Sequence, residues 1–261
     1  MKISTKVFCL ALLVILSSSA YGQKFLSKPW TEWSRDEAQL LLSNSAWAKT
    51  YSSIEGGARA EAQSMARGSR DTVNSGGGNP GSVSRDLGNL PVVIRLHSSP
   101  YIRQATVRAQ QIAVKYDKLS AEDKAKFDAS RKGYLECAIC KDYYVVTITK
   151  YTDASGETVN EGFFQSMTLE DVRGHITLAN DAGEVRELIQ FTPPKGGGEA
   201  AIFFFKRIDD AGKALVTPET KELRFVFSNE FVQKDKRYSA LYPRRFEFPV
   251  SKMIVSEAVS F

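Results

Sequence analysis

The sequence predicts an α+β fold: an N-terminal helix, a strand–helix–helix–strand unit, then a mostly antiparallel β-sheet or sandwich. Three observations carry that prediction. Ile102, Ala105, Ala109, Ile112, Ala113 and Tyr116 recur at helical spacing behind the start signal Ser99-Pro100. After Cys140 the hydrophobic period becomes two, as where Leu223, Phe225 and Phe227 alternate with Arg224, Val226 and Ser228. The turns Asp153–Gly156, Asn180–Gly183 and Asp209–Gly212 each start on an Asx residue and end on glycine, the pattern that closes a hairpin.

Taken in order, residues 1–22 read as a cleavable signal peptide. Lys2 and Lys6 precede an apolar core from Val7 to Leu16, and Ala20-Tyr21-Gly22 supplies small residues at a cleavage point. The apolar run is too short to span a bilayer, and Cys9 has no lipobox-like context, so no lipid anchor is predicted. The chain from Gln23 is thus expected in the periplasm or outside the cell. Residues 23–51 form a helical arm, where Ser34 and Glu37 make a capping box and Trp33 sits to staple onto Ala38. Ala38, Leu41, Leu42 and Trp47 continue its apolar face. Residues 52–90 are rich in Gly and Ser and read as a flexible linker. Its Gly76-Gly77-Gly78-Asn79-Pro80-Gly81 run lacks the Gly-Lys-Ser/Thr ending of a phosphate loop.

The strand–helix–helix–strand unit covers 91–151: a strand at Pro91–Leu96, the helix above, a second helix restarted by Ser120 with Phe127 as its main apolar residue, and a strand at Tyr143–Tyr151. Residues 152–261 form the antiparallel β region packed against it. Its strands are expected at 172–178, 185–191, 200–208, 222–228, 245–250 and 253–259. Ile202-Phe203-Phe204-Phe205 is apolar on both faces and belongs in a central strand. Phe261, Val259, Val255 and Met253 follow the register of an outer-membrane barrel terminus. Glu257 breaks it, which favours an ordinary C-terminal strand.

Bulk properties narrow the function. The net charge of +5 falls with the two leader lysines, too small an excess to argue for nucleic acid. No apolar stretch after the leader is long enough for a membrane helix. The three Asx–Gly turns lack the alternating carboxylates of a calcium loop. No Gly-x-Ser-x-Gly elbow exists, and neighbouring acids such as Glu170-Asp171 and Asp209-Asp210 would point to opposite faces of a strand.

Cys137-Ala138-Ile139-Cys140 is the one chemically suggestive motif. It follows a helix and precedes a strand, the reverse of a thiol oxidoreductase, so the pair reads first as a local structural disulfide. Packed free thiols, redox catalysis and metal binding are the alternatives. His97 and His175 are the two histidines, and a zinc site made with the cysteines would need proximity supplied by the fold. No cofactor is implied.

The chain resembles a family of uncharacterised secreted bacterial proteins. The likeness rests on Lys28-Pro29-Trp30-Thr31-Glu32-Trp33, Ser45-Ala46-Trp47-Ala48-Lys49, and the run from Val93 to Ala105. Phe204-Phe205-Lys206-Arg207 and Phe248-Pro249-Val250-Ser251-Lys252-Met253 extend it. Leu96-His97 departs from the family pattern. The resemblance implies secretion and a shared fold, and attaches no activity. An aromatic-rich sheet without catalytic motifs and a tryptophan-bearing arm set the expectation of a secreted or periplasmic non-enzymatic module binding a protein or envelope component, with Trp30, Trp33 and Trp47 docking the arm on the body or contacting the partner. A small envelope enzyme, thiol-redox through Cys137 and Cys140 or metal-dependent, is the alternative.

Overall fold

A computed structural model of the chain describes residues 24–51, 92–150, 162–195, 199–233, 244–255 and 258–259. The leader, the linker over 52–90 and the Asp153–Gly156 turn lie outside these residues. Eight strands form one sheet: β1 (Ala48–Tyr51), β2 (Val92–Leu96), β3 (Tyr143–Lys150), β4 (Ile176–Asn180), β5 (Val185–Thr192), β6 (Ala201–Lys206), β7 (Glu222–Phe227) and β8 (Arg245–Pro249). Their spatial order is β1-β2-β3-β6-β5-β4-β7-β8, and every pairing is antiparallel. The sheet curls until its edges meet, with Tyr51 of β1 edge-on to Phe246 of β8 at 6.4 Å. The α+β class is observed, as a nearly closed barrel.

The reason for the curl lies in the alternation. Leu96, Val146 and Phe203 are in register across β2, β3 and β6, and Phe225 faces Leu178 and Phe246 across β4, β7 and β8. All are buried on one face, where the rings of Phe203, Phe205, Phe225 and Phe227 meet edge-to-face at 5.2 to 5.9 Å. Aromatic rings fill the concave side in place of a lumen. β6 is central, as its two apolar faces require: Phe203 and Phe205 enter the main core, while Phe204 packs with Val145 and Cys140 on the other side. Gly183 and Gly212 take φ of +86° and +81° at the ends of their Asx turns.

Three longer helices accompany the sheet: α1 (Arg35–Ser43), α2 (Pro100–Ala113) and α3 (Ala121–Glu136). The Ser34–Glu37 capping box forms, with Ser34 Oγ accepting from Glu37 N at 3.2 Å and Ser34 N donating to Glu37 Oε2 at 2.8 Å. Trp33 and Ala38 are both buried in the main core. Ser120 caps α3, whose residues are exposed or half-buried, Phe127 being half-buried.

Several expectations are corrected. The arm is not helical throughout, because Ala48–Tyr51 finds β2 as a partner and becomes an edge strand. α2 buries Ile102, Arg103, Ala105, Val107 and Gln111, while Ala113 is exposed. It contacts α1 on one side and α3 on the other, so its buried surface is wider than one apolar stripe. Ser99 precedes α2 without capping it through its side chain; Pro100 supplies the first helical residue. Val172 ends a short helix, Leu169–Val172, set up by a Thr168–Asp171 capping box, and β4 starts only at Ile176. In place of one strand over 253–259, a small separate ribbon pairs Ile254–Val255 with Ala258–Val259, and Met253 is buried in the main core.

Replacing Phe225 by Ala should cost about 3–5 kcal/mol, read as a fall in urea midpoint, because the ring is fully buried among other rings. The half-exposed Ile189→Ala should cost less than about 0.5 kcal/mol.

Candidate functional site

Arginines organise the junction between helices and sheet. Arg95, on β2, donates through Nε to the Leu42 carbonyl near the end of α1 at 2.6 Å and through Nη1 to Thr149 Oγ1 at 3.1 Å. Arg103, on α2, is buried. Its Nε donates to the Leu135 carbonyl on α3 at 3.0 Å, and its Nη1 to the carbonyls of His97 and Ser98 at 3.1 and 2.6 Å. Arg108 Nε donates to the Trp33 carbonyl at 2.7 Å, holding the arm against α2. Terminal helix carbonyls lack partners within their own helix, and these cations supply the missing donors.

His97 stands between these cations, edge-on to Tyr134 at 5.0 Å. Burial, with the nearby Arg103 and Arg95, pushes its imidazole down to about 4, so it is neutral at physiological pH. His175 is elsewhere, with Nδ1 3.0 Å from Ser228 Oγ and its ring stacked on Phe231. Among the described residues no group of three or more His, Cys, Asp or Glu is arranged to hold a metal ion.

Cys137 and Cys140 are bonded to each other. Cys137 closes α3 in the left-handed region, with φ of +44°, and Cys140 is buried in the short turn leading into β3. The helix C-terminus at Cys137 disfavours a thiolate there, while Arg103 Nη1 lies 3.6 Å from the Cys140 sulfur. Arg207 Nε donates to the Cys140 carbonyl at 2.8 Å, and its guanidinium lies over the Tyr144 ring at 4.6 Å. This arrangement pins the end of α3 onto β3.

The three tryptophans separate. Trp33 and Trp47 are each only 1% exposed, Trp33 donating from its indole N–H to the Phe25 carbonyl at 3.1 Å, and both pack beside Tyr101. Their burial in the core weighs against Trp33 and Trp47 as partner contacts. Trp30 alone of the three stays half-buried. It packs against the core's edge and lines a cleft of about 250 Å³ between the arm, α2 and α3.

That cleft brings together residues the sequence reading passed over. Arg108 and Gln111 come from α2, Tyr116 and Asp117 from the α2–α3 connection, and Asp128 and Arg131 from α3. Tyr116 Oη donates to Asp128 Oδ2 at 2.7 Å, and this bond raises the phenol above its ordinary value. Arg108 Nη1 donates to Gln111 Oε1 at 3.3 Å. The Arg131 guanidinium lies over Phe127 at 5.4 Å, with its buried Nε lacking a hydrogen-bond partner. The available signal was the i, i+3 recurrence of Arg108–Gln111 and Asp128–Arg131 on two helices; that the two helices bring them into one cleft was not visible.

Among known proteins, no family model, no curated protein and no solved structure matches the chain. The cleft is therefore read from its own geometry.

Two outcomes test this junction. Between about pH 6.5 and pH 4 the unfolded chain binds a proton at His97 that the folded protein resists. The folded value is depressed, so this contribution is complete above about pH 6.5 and is lost as pH falls. The loss should approach about 3 kcal/mol at pH 4 in urea unfolding, and His97→Gln should flatten that part of the profile. Replacing both Cys137 and Cys140 by Ser should cost about 2 kcal/mol, small because the closed loop is short.

Proposed function

We propose that the protein is an exported, non-enzymatic binding module of the periplasm or cell surface, and that it holds an envelope component through the Trp30 cleft. The observation that carries this reading is the split among the tryptophans: two are fully buried in the core, and the third, packed on the core's edge and half-buried, lines a cleft with fixed polar groups. Export rests on the Met1–Gly22 leader and agrees with the Cys137–Cys140 disulfide, which persists in oxidising compartments.

Two measurements test it. Mass spectrometry of the periplasmic and culture fractions should find the mature chain beginning at Gln23. Purified mature protein should co-sediment with envelope fractions, and Trp30→Ala should lower retention about tenfold, equivalent to about 1.4 kcal/mol, with an unchanged circular dichroism spectrum. Equal retention of the variant, or no retention of the wild type, overturns the reading.

A further inference from the structure

We propose, on the basis that the cleft is the binding surface, that its ligand is a neutral pyranose unit of a glycan. Four features converge on that class. The first is charge. Arg108 and Arg131 are balanced by Asp117 and Asp128, so a strongly anionic ligand would meet two carboxylates and a cationic one two guanidinium groups. The second is the Trp30 ring in the lining; Tyr116, whose ring already holds Lys124 at 5.6 Å and Phe127 at 5.4 Å, contributes its hydroxyl edge. A pyranose presents an apolar C–H face to a ring and a girdle of hydroxyls that both donate and accept.

The third feature is the geometry of the polar groups. Arg108, Gln111 and Asp128 are planar side chains able to engage neighbouring hydroxyls two at a time. They are also fixed in advance: Arg108 by the Trp33 carbonyl and by Gln111, and Asp128 by Tyr116. These bonds leave both guanidinium and carboxylate with further hydrogen-bonding capacity. The fourth is size, since about 250 Å³ accommodates a sugar ring and falls short of a folded peptide segment. A purely apolar ligand is disfavoured because it would bury charged groups without partners.

The test is ¹⁵N NMR titration of the mature chain with N,N′-diacetylchitobiose and with maltotriose, using glucuronate and spermidine as charged controls. At least one neutral sugar should give saturable shifts at the Trp30 indole N–H and at Gln111, with a Kd near 1 mM (about −4 kcal/mol). Trp30→Ala should weaken binding at least about tenfold, and Asp128→Asn several-fold, while the amide spectrum of the sheet is retained. The proposal is overturned if neither sugar shifts these signals up to about 50 mM, or if Trp30→Ala binds like the wild type. Protein-free peptidoglycan sacculi, run beside the soluble sugars, separate the two sources: retention on sacculi assigns the pyranose to the polymer, and binding of soluble sugar alone assigns it to free oligosaccharide. Trp30-dependent envelope retention without any sugar response would overturn the sugar class while leaving the binding module standing; failure of both would overturn the cleft itself.

Discussion

Arginines directed at backbone carbonyls, not at carboxylates, hold the helical layer to the sheet. Arg95 reaches the end of α1, Arg108 reaches the arm, Arg207 reaches the turn before β3, and Arg103 ties α3 to the β2–α2 turn. A carbonyl at a helix terminus or in a tight turn has no partner within its own element, and burying it unpaired is costly. One guanidinium offers five donors in a fixed fork, enough to satisfy carbonyls from separate segments at once. Arg103 does this for residues that lie dozens of positions apart in sequence. Removing it would strand the His97, Ser98 and Leu135 carbonyls together, which makes Arg103 one of the ties that place α3.

The cleft follows from this arrangement. α2 is held between α1 and α3, and Arg108 and Gln111 project from the same helix whose other residues, Ile102 and Ala105, enter the core. Trp33 fastens the arm by burial, by its indole hydrogen bond and by the Arg108 contact on its carbonyl. Trp30, three residues earlier, is thereby set in the lining. α3 contributes little to the core, and its placement relies on the Cys137 terminus, the disulfide turn and Arg103. The polar wall of the cleft is built on the least core-dependent helix, which leaves its exposed face open to ligand.

Much of the architecture was legible in the residues. The capping box at Ser34, the proline start at Pro100, the Asx–Gly turns at Asn180 and Asp209, and the doubly apolar Ile202–Phe205 strand each have local causes, and each appears where expected. The edge strand Ala48–Tyr51 was not legible, since a short strand beside a helix has no period of its own and exists because β2 is there to pair with it. Arg103 and Gln111 were missed as buried residues because hydrophobic periodicity scores charged and amide groups as surface; only a second helix, α3, makes their side of α2 interior.

The sequence by itself determined the local elements and their chemistry: capped helices, alternating aromatic strands, and two cysteines spaced for a local bond. These depend on neighbours within a few positions, where backbone geometry and side-chain spacing are fixed. Tertiary structure alone decided that the sheet closes through Tyr51 and Phe246, that Trp33 and Trp47 are fully buried while Trp30 is only partly so, and that Asp128 and Arg131 line one cleft with Arg108 and Gln111. Those outcomes depend on which distant surfaces meet, and they are set by burying the largest rings and by satisfying every carbonyl at once, conditions that act on the whole chain.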